Sequence, residues 1–417
     1  MSDHTHSPSQ IPLIPQIPHP DRVRRIADDA QALDAAHALA ALAAEGASER
    51  DRDRALPWDL LDRWSESGLG AVTVPRAHGG AAVSYATLAE VFVVLCQADP
   101  AFGQIPQNHF GLLGLLHELG TDAQKQRFYG EVLAGQRLGN AGPERRSADA
   151  PTIAQGATRL HRTPDGLRLT GTRFYSTGAL FAHRVPTRAL DDHGRPVQPW
   201  VPRSAPGLTV VDDWSSFGQR TTASGTVIFD AVAVAEEDVL PLWQLADRPG
   251  LTGPVSQLLQ AAIDQGIAEA AVADAIAFVQ DHARPWSESG VARAADDVYI
   301  LADVGRLAID LHAAREVLLE AGRTLDEVAA APVTAASSAR ASVAVAEAKV
   351  LTTRIALDAS EKLFELAGAS ATRAKHNLDR HWRNARVHTL HDPVRWKTHL
   401  IGNYLLNDVP PPRHSWN

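Results

Sequence analysis

The side chains best able to move protons are concentrated near the end of the chain. Of 18 histidines, six (His376, His381, His388, His391, His399 and His414) fall within 39 residues. In the stretch 381–397, HWRNARVHTLHDPVRWK, His381 and His388 are seven apart and His388 and His391 three apart. On a helix these positions share a face. Pro393 disfavours the α region at Asp392, which places His391 at a helix C-terminus, where the negative dipole end favours imidazolium. Imidazoles beside such a break can exchange protons near neutral pH. Plainer readings remain open. Asp392-Pro393 is also an ordinary N-cap and N1 pair, and a helical histidine is usually structural. A metal site built on His388, His391 and Asp392 lacks a further fixed ligand, so no metal is expected.

Other candidates are weaker one by one. His109 precedes the apolar run Gly111–Leu116 and reads equally as a hydrogen-bonded core histidine. Asn140, between Gly139 and Ala141, is a turn residue or a hydrogen-bonding one. Tyr175-Ser176-Thr177-Gly178 follows a β-prone segment and offers hydroxyls and backbone N–H groups suited to a flavin edge or a phosphate. Arg284, in Ala-Arg-Pro-Trp, either meets a helix C-terminal dipole or clamps a phosphate.

Three blocks must position these residues. Residues 1–20 hold five prolines and read as an extended arm. Residues 21–135 are Ala/Leu-rich, with helices expected over 22–45, 56–67, 83–98 and 121–134, and breaks at Asp99-Pro100 and Ile105-Pro106. Residues 136–240 alternate, with a hairpin about Pro164-Asp165-Gly166 and a β-prone end at Thr226–Phe229, predicting a small barrel or sandwich. Residues 245–417 are helical again. Ile300, Val304, Leu307, Leu311, Ala314 and Leu318 form one apolar stripe, and Val343, Ala346, Val350, Thr353 and Leu357 another, which predicts a four-helix bundle. The fold class is therefore α+β, mostly α.

The charge is 40 − 49 = −9, against a nucleic-acid partner. The single cysteine, Cys96, excludes an intrachain disulfide and a cysteine-based metal cluster. No apolar run reaches the roughly 18 residues of a membrane span, and the N-terminus lacks a secretory pattern, so a cytoplasmic protein is expected. Neither G-x-G-x-x-G after a strand, G-x-x-x-x-G-K-[ST] nor G-x-S-x-G occurs.

Together, IPQNHF (105–110), GNAGPE (139–144), GTRFYSTGA (171–179), DDWSSFGQRTTASGTV (212–227), ARPW (283–286) and DRHWRNARVHTLHDPVRWK (379–397) resemble the acyl-CoA dehydrogenase superfamily. The nearer resemblance is to its monooxygenase branch: dibenzothiophene monooxygenase and, above all, the sulfur-acquisition oxidoreductases linked to dimethyl sulfone. It implies an N-terminal helical domain, a central β-barrel or sandwich and a C-terminal four-helix bundle. It further implies a homotetramer, with flavin between the β domain and the bundle. His109, Asn140, Thr177, His388 and His391 would line the reactive face of the flavin. Tyr175, Ser176 and Thr177 would hold the ring edge, Trp214 would pack near it, and Arg284 would reach phosphate across a subunit contact. Glu365-Leu366-Ala367-Gly368-Ala369 stands where the dehydrogenases carry a Gly-Gly segment, which favours FMN over FAD.

The implied activity is a two-component monooxygenase. A separate NAD(P)H-dependent flavin reductase would supply FMNH2, and a flavin C4a-(hydro)peroxide would oxygenate a small organosulfur compound. One alternative is an FAD-dependent acyl-CoA dehydrogenase with Asp392 as base. The other is a non-enzymatic helical assembly protein.

Overall fold

A computed structural model describes residues 14–144, 158–246, 248–414 and 417. Most of the expected Pro-rich arm, residues 1–13, lies outside the described residues. The first block is helical: α1 (Asp29–Ala44), α2 (Ala47–Asp53), α3 (Trp58–Ser67), α4 (Tyr85–Ala98), α5 (Pro100–Gln104), α6 (Gln107–Leu119) and α7 (Asp122–Leu133). The starts follow capping chemistry. The Asp28 carboxylate accepts from Gln31 N–H, Ser84 Oγ from Thr87 N–H, and Thr121 and Gln124 form a reciprocal capping box. The two prolines expected to break the pattern restart it. Pro100 is the first residue of α5, capped by Asp99, and Pro106 is the N-cap of α6. α5 and the start of α6 bring Gln104 and His109 to the domain seam.

The central strands are β1 (Arg159–Thr163), β2 (Gly166–Arg173), β3 (Arg184–Pro186), β4 (Ala189–Leu190), β5 (Pro196–Pro202), β6 (Leu208–Val211), β7 (Thr226–Val234) and β8 (Val239–Leu240). They form one sheet in the order β3-β5-β4-β1-β2-β7-β6, with β8 added to β5. The expected hairpin is β1–β2, with Thr163 opposite Gly166 across Pro164-Asp165.

Three long helices follow: α8 (Thr252–Asp281), α9 (Val298–Ala329) and α10 (Ala335–Ala367). The shorter α11 (Asp379–His388) and α12 (Arg395–Asn407) come last. On α9, Leu307, Ala314 and Leu318 are buried, while Ile300, Val304 and Leu311 are only partly covered. On α10, Val343 and Ala346 pack against Leu400, Ile401 and Tyr404 of α12. One continuous core runs from Ile26 to Ala385, so the two helical blocks share an interior. α12 begins at Arg395 with Val394 as N-cap, so Asp392 does not cap it. Asp392 lies in the bend between α11 and α12, and its buried carboxylate pairs with Lys397 Nζ at 3.3 Å.

Candidate flavin site

The site is a seam where four segments meet: the turn from α5 to α6, the loop after β2, the loop between β6 and β7, and the end of α11. Gly178 has φ +82°, and a Cβ there would stand 3.0 Å from Ile105 O, which joins the loop after β2 to the α5–α6 turn. Gly218 lies so close to α11 that a Cβ would stand 2.0 Å from Arg383 O. Beside it, Gln219 N–H donates to Asn384 Oδ1 at 2.7 Å. Gln104 of α5 reaches His391 at 3.2 Å.

Loop hydroxyls form an ordered chain. Thr222 Oγ1 donates to Gln219 O at 3.0 Å, because a carbonyl can only accept. Ser224 Oγ lies 2.8 Å from Thr222 Oγ1, and Thr177 Oγ1 lies 2.7 Å from Ser224 Oγ. Each hydroxyl has one proton, so donation runs from Thr177 to Ser224 to Thr222, leaving Thr177 Oγ1 with lone pairs. Trp214 Nε1 also donates to Gln219 O, at 2.9 Å, and its ring meets that of Tyr175 edge-on. Tyr175 is mostly exposed and has φ +51°. Asn140 is half-buried, and its N–H donates to Thr177 O at 3.1 Å.

His388 is completely buried, and its Nδ1 lies 2.5 Å from Asp264 Oδ1 on α8. Asp264 Oδ2 accepts from Lys349 Nζ at 2.6 Å and from Thr353 Oγ1 at 2.9 Å, both on α10. Burial alone would raise the Asp264 carboxyl, but Lys349 and His388 overcome it and hold it well below the carboxylate range. His388 itself is depressed, first by burial and also by Lys349, against the pull of Asp264. His391 follows α11, with its ring 4.7 Å from that of His388. Its Nδ1 donates to His388 O at 2.6 Å, so its Nε2 accepts from the Gln104 amide. Crowding protein on its inner side, and then the His388 ring, push its basicity down. The dipole argument for an imidazolium at this helix end therefore does not hold: desolvation outweighs a partial charge.

The other candidates sit differently. His109 is buried, with Nε2 donating to Gly70 O at 2.8 Å and Nδ1 accepting from Leu138 N–H at 3.0 Å. Burial lowers it to about 4. Both ring nitrogens serve the backbone. His381 shares the helix with His388 but binds Asp274 Oδ2 at 2.8 Å and tethers α11 to α8. Arg284 is exposed in the connection before α9, and no hydrogen bond joins it to the seam. Among the described residues no group of three or more His, Cys, Asp or Glu could hold a metal ion.

Several buried polar atoms along the seam have no protein partner: Ser176 Oγ, both amide atoms of Gln219, Gln104 Oε1 and His388 Nε2. Each such atom costs about 1–3 kcal/mol if left unpaired. A flat heterocycle with donors and acceptors on its edge fits that set, and a flavin ring is one. Gln104, Gln219, Asn384, Asp264 and Lys349 did not stand out in the sequence. The available signal was a charge within an apolar helix, at Asp264 and Lys349.

Residues 27–136 match the acyl-CoA dehydrogenase N-terminal domain, and residues 258–396 match the acyl-CoA dehydrogenase C-terminal domain. The dibenzothiophene monooxygenase of Mycolicibacterium goodii is 31% identical over 378 residues, 87% of this chain and 90% of that protein. The chain belongs to the acyl-CoA dehydrogenase superfamily. Within it, the resemblance is to flavin-dependent monooxygenases. The probable FMNH2-dependent monooxygenase SfnC of Pseudomonas putida is 30% identical, over 91% of this chain and 96% of its own. The FMN-bound structure of TdsC from Paenibacillus sp. A11-2 superposes with a TM-score of 0.87 at 31% identity, covering 93% of this chain and all of that one. No helix among the described residues is long and apolar enough to cross a membrane.

Proposed function

We propose that this chain is the oxygenase of a two-component flavin monooxygenase acting on a small organosulfur compound. In balanced form, FMNH2, O2 and the sulfur compound give FMN, water and the oxygenated product. Reduced flavin, when bound, supplies the two electrons that activate O2. A separate NAD(P)H-dependent flavin reductase in the same cytoplasm supplies it, since this chain carries no nicotinamide-binding fingerprint.

The observation that carries this reading is the row of unpartnered buried atoms at Ser176, Gln219, Gln104 and His388. Ser176, Thr177 and Gln219 hold the ring edge, with Tyr175 and Trp214 closing its flank. Arg284 meets the phosphate. His388 and His391 offer ring nitrogens that take and return a proton, and Asn140 anchors the loop carrying Thr177. His109 braces the seam from behind.

The FAD-dependent dehydrogenase alternative asks Asp392 to remove a proton from substrate, yet its carboxylate is buried against Lys397. The relatives' activities also favour an enzyme over a helical assembly protein. The deciding experiment supplies FMNH2 and 18O2 with candidate sulfides, sulfones and sulfinates and follows products by mass spectrometry. Absence of 18O in every product would overturn the reading.

A further inference from the structure

Asp264 and Lys349 are both fully buried and form an ion pair between α8 and α10. A buried ion pair between two helices is an expensive way to hold them, because each ion gives up its hydration. Their arrangement around His388 gives them a role. One carboxylate gathers three donors: Lys349 Nζ and Thr353 Oγ1 on Oδ2, and His388 Nδ1 on Oδ1. A carboxylate cannot donate, so the His388 proton resides on Nδ1 and Nε2 carries a lone pair. Nε2 is buried and has no protein partner.

Charge fixes the resting state. Protonated Lys349 and ionised Asp264 sum to zero, so protonating His388 as well would leave a net positive charge among fully buried groups. The charged and titratable groups acting on it are Asp264 from α8, Lys349 from α10, and Asp392 and His391 beyond α11. Asp392 is already paired with Lys397.

We propose that Asp264 and Lys349 are positioning residues that hold His388 as a neutral Nδ1–H tautomer, making its Nε2 the proton acceptor of the site. Asp264 sets the tautomer and steadies the imidazolium formed after proton uptake. Lys349 stops that imidazolium from forming prematurely. The logic is that of the aspartate in a serine-hydrolase triad, with a lysine added to reset the basicity. The proton moves from a donor in the site to Nε2 and returns by the same route, so no electron or co-reactant is needed. The catalytic consequence rests on the proposed monooxygenase function; the tautomer does not.

The test begins with flavin-free protein. Nitrogen-15 NMR of histidine-labelled chain, with His388→Gln for assignment, reads which ring nitrogen carries the proton. Protonated Nδ1 and bare Nε2 at neutral pH are expected. Lys349→Met leaves Asp264 uncompensated, so the His388 titration should rise by roughly 1–3 pH units. The acid limb of the pH–rate profile should rise with it. The double variant Asp264→Asn with Lys349→Met removes both charges together and leaves no orphaned ion. If Lys349→Met alone does not fold, this variant carries the test. It should bind FMNH2 normally, lose the Nδ1–H preference and turn over roughly 10²–10⁴-fold more slowly. An Nε2–H tautomer in the unaltered chain would overturn the proposal, as would a double variant with unchanged tautomer and kcat. If the unaltered chain shows the expected imidazole signals but oxygenates nothing, the tautomer assignment stands and the monooxygenase reading fails.

Discussion

At the scale of single residues, the site sorts its histidines by what their nitrogens touch. His109 spends both ring nitrogens on backbone, at Gly70 O and Leu138 N. His109→Ala would strand two buried backbone groups, each costing about 1–3 kcal/mol. The expected result is a clear fall in Tm, with residual activity in the fraction that remains folded. An unchanged melting curve would reject the bracing role. His391 lies at the seam with one edge open to the surface and its inner face crowded by protein, and its Nε2 accepts from Gln104. His391→Ala should leave flavin binding intact and lower the coupled rate by roughly 10²–10³-fold, the range for losing one preorganised polar partner at a reacting centre. The lost turnover should reappear as hydrogen peroxide released per FMNH2 consumed; undiminished product yield would make His391 structural. The cluster of histidines near the chain end was visible in the sequence, but their division of labour was not. His381 and His388 occupy one helical face, yet the aspartates that bind them, Asp274 and Asp264, lie over a hundred residues earlier on α8. Spacing along a helix reports a shared face and says nothing about what the opposing helix carries.

At the scale of elements, apolar periodicity made the long helices readable and the Pro-Asp-Gly turn the first hairpin, because those signals are local. Three helices were missed for the same reason. α2, α5 and α6 adjoin prolines or glycines that read as breaks, and only packing at the seam shows that the prolines restart helices. One strand-like segment joins the first helical block to the sheet. There Arg137 N–H donates to His183 Nδ1 at 2.8 Å, and Leu138 N–H to His109 Nδ1. Burial lowers both histidines to about 4. Their folded values lie below the unfolded value near 6.5, so the unfolded chain binds protons first as pH falls. Stability is therefore fully present above about pH 6.5 and is lost as pH drops towards 4, by up to about 3 kcal/mol per histidine. Urea midpoints at pH 7.5 and pH 5 should differ accordingly. His183→Gln, which cannot ionise, should show a smaller difference than the unaltered chain; an equal difference would place the acid sensitivity elsewhere.

At the scale of the whole molecule, the described chain leaves apolar side chains where water should be. On α9 and its approach, Trp286, Val298, Tyr299, Leu301 and Ile309 are all more than half exposed, and so are Leu405 and Leu406 of α12. Surfaces of this kind mark contacts between chains. The stripe on α9 predicts a bundle helix, but its spacing does not distinguish the core of one chain from an interface between copies. Arg284 lies in the same connection as Trp286, exposed and unconnected to the seam of its own chain. A homotetramer in which Arg284 reaches the flavin phosphate of a neighbour accounts for both observations. Sedimentation at micromolar concentration should then give a tetramer, and a pure monomer would reject it. Arg284→Ala should weaken FMNH2 binding by roughly 10- to 100-fold, as expected for a charge-assisted bond worth about 1.5–3 kcal/mol, with little change in Tm. The decisive measurement mixes two impaired chains and assays them at FMNH2 too dilute to saturate the Arg284→Ala variant. A protomer with Arg284→Ala keeps its own His391, and a protomer with His391→Ala keeps its Arg284. If the arginine serves the neighbouring site, unfolding and co-refolding the two together rebuilds some complete sites and restores part of the activity. If Arg284 serves its own chain, every site in the mixture lacks one of the two residues, and the hybrids stay as impaired as their parents.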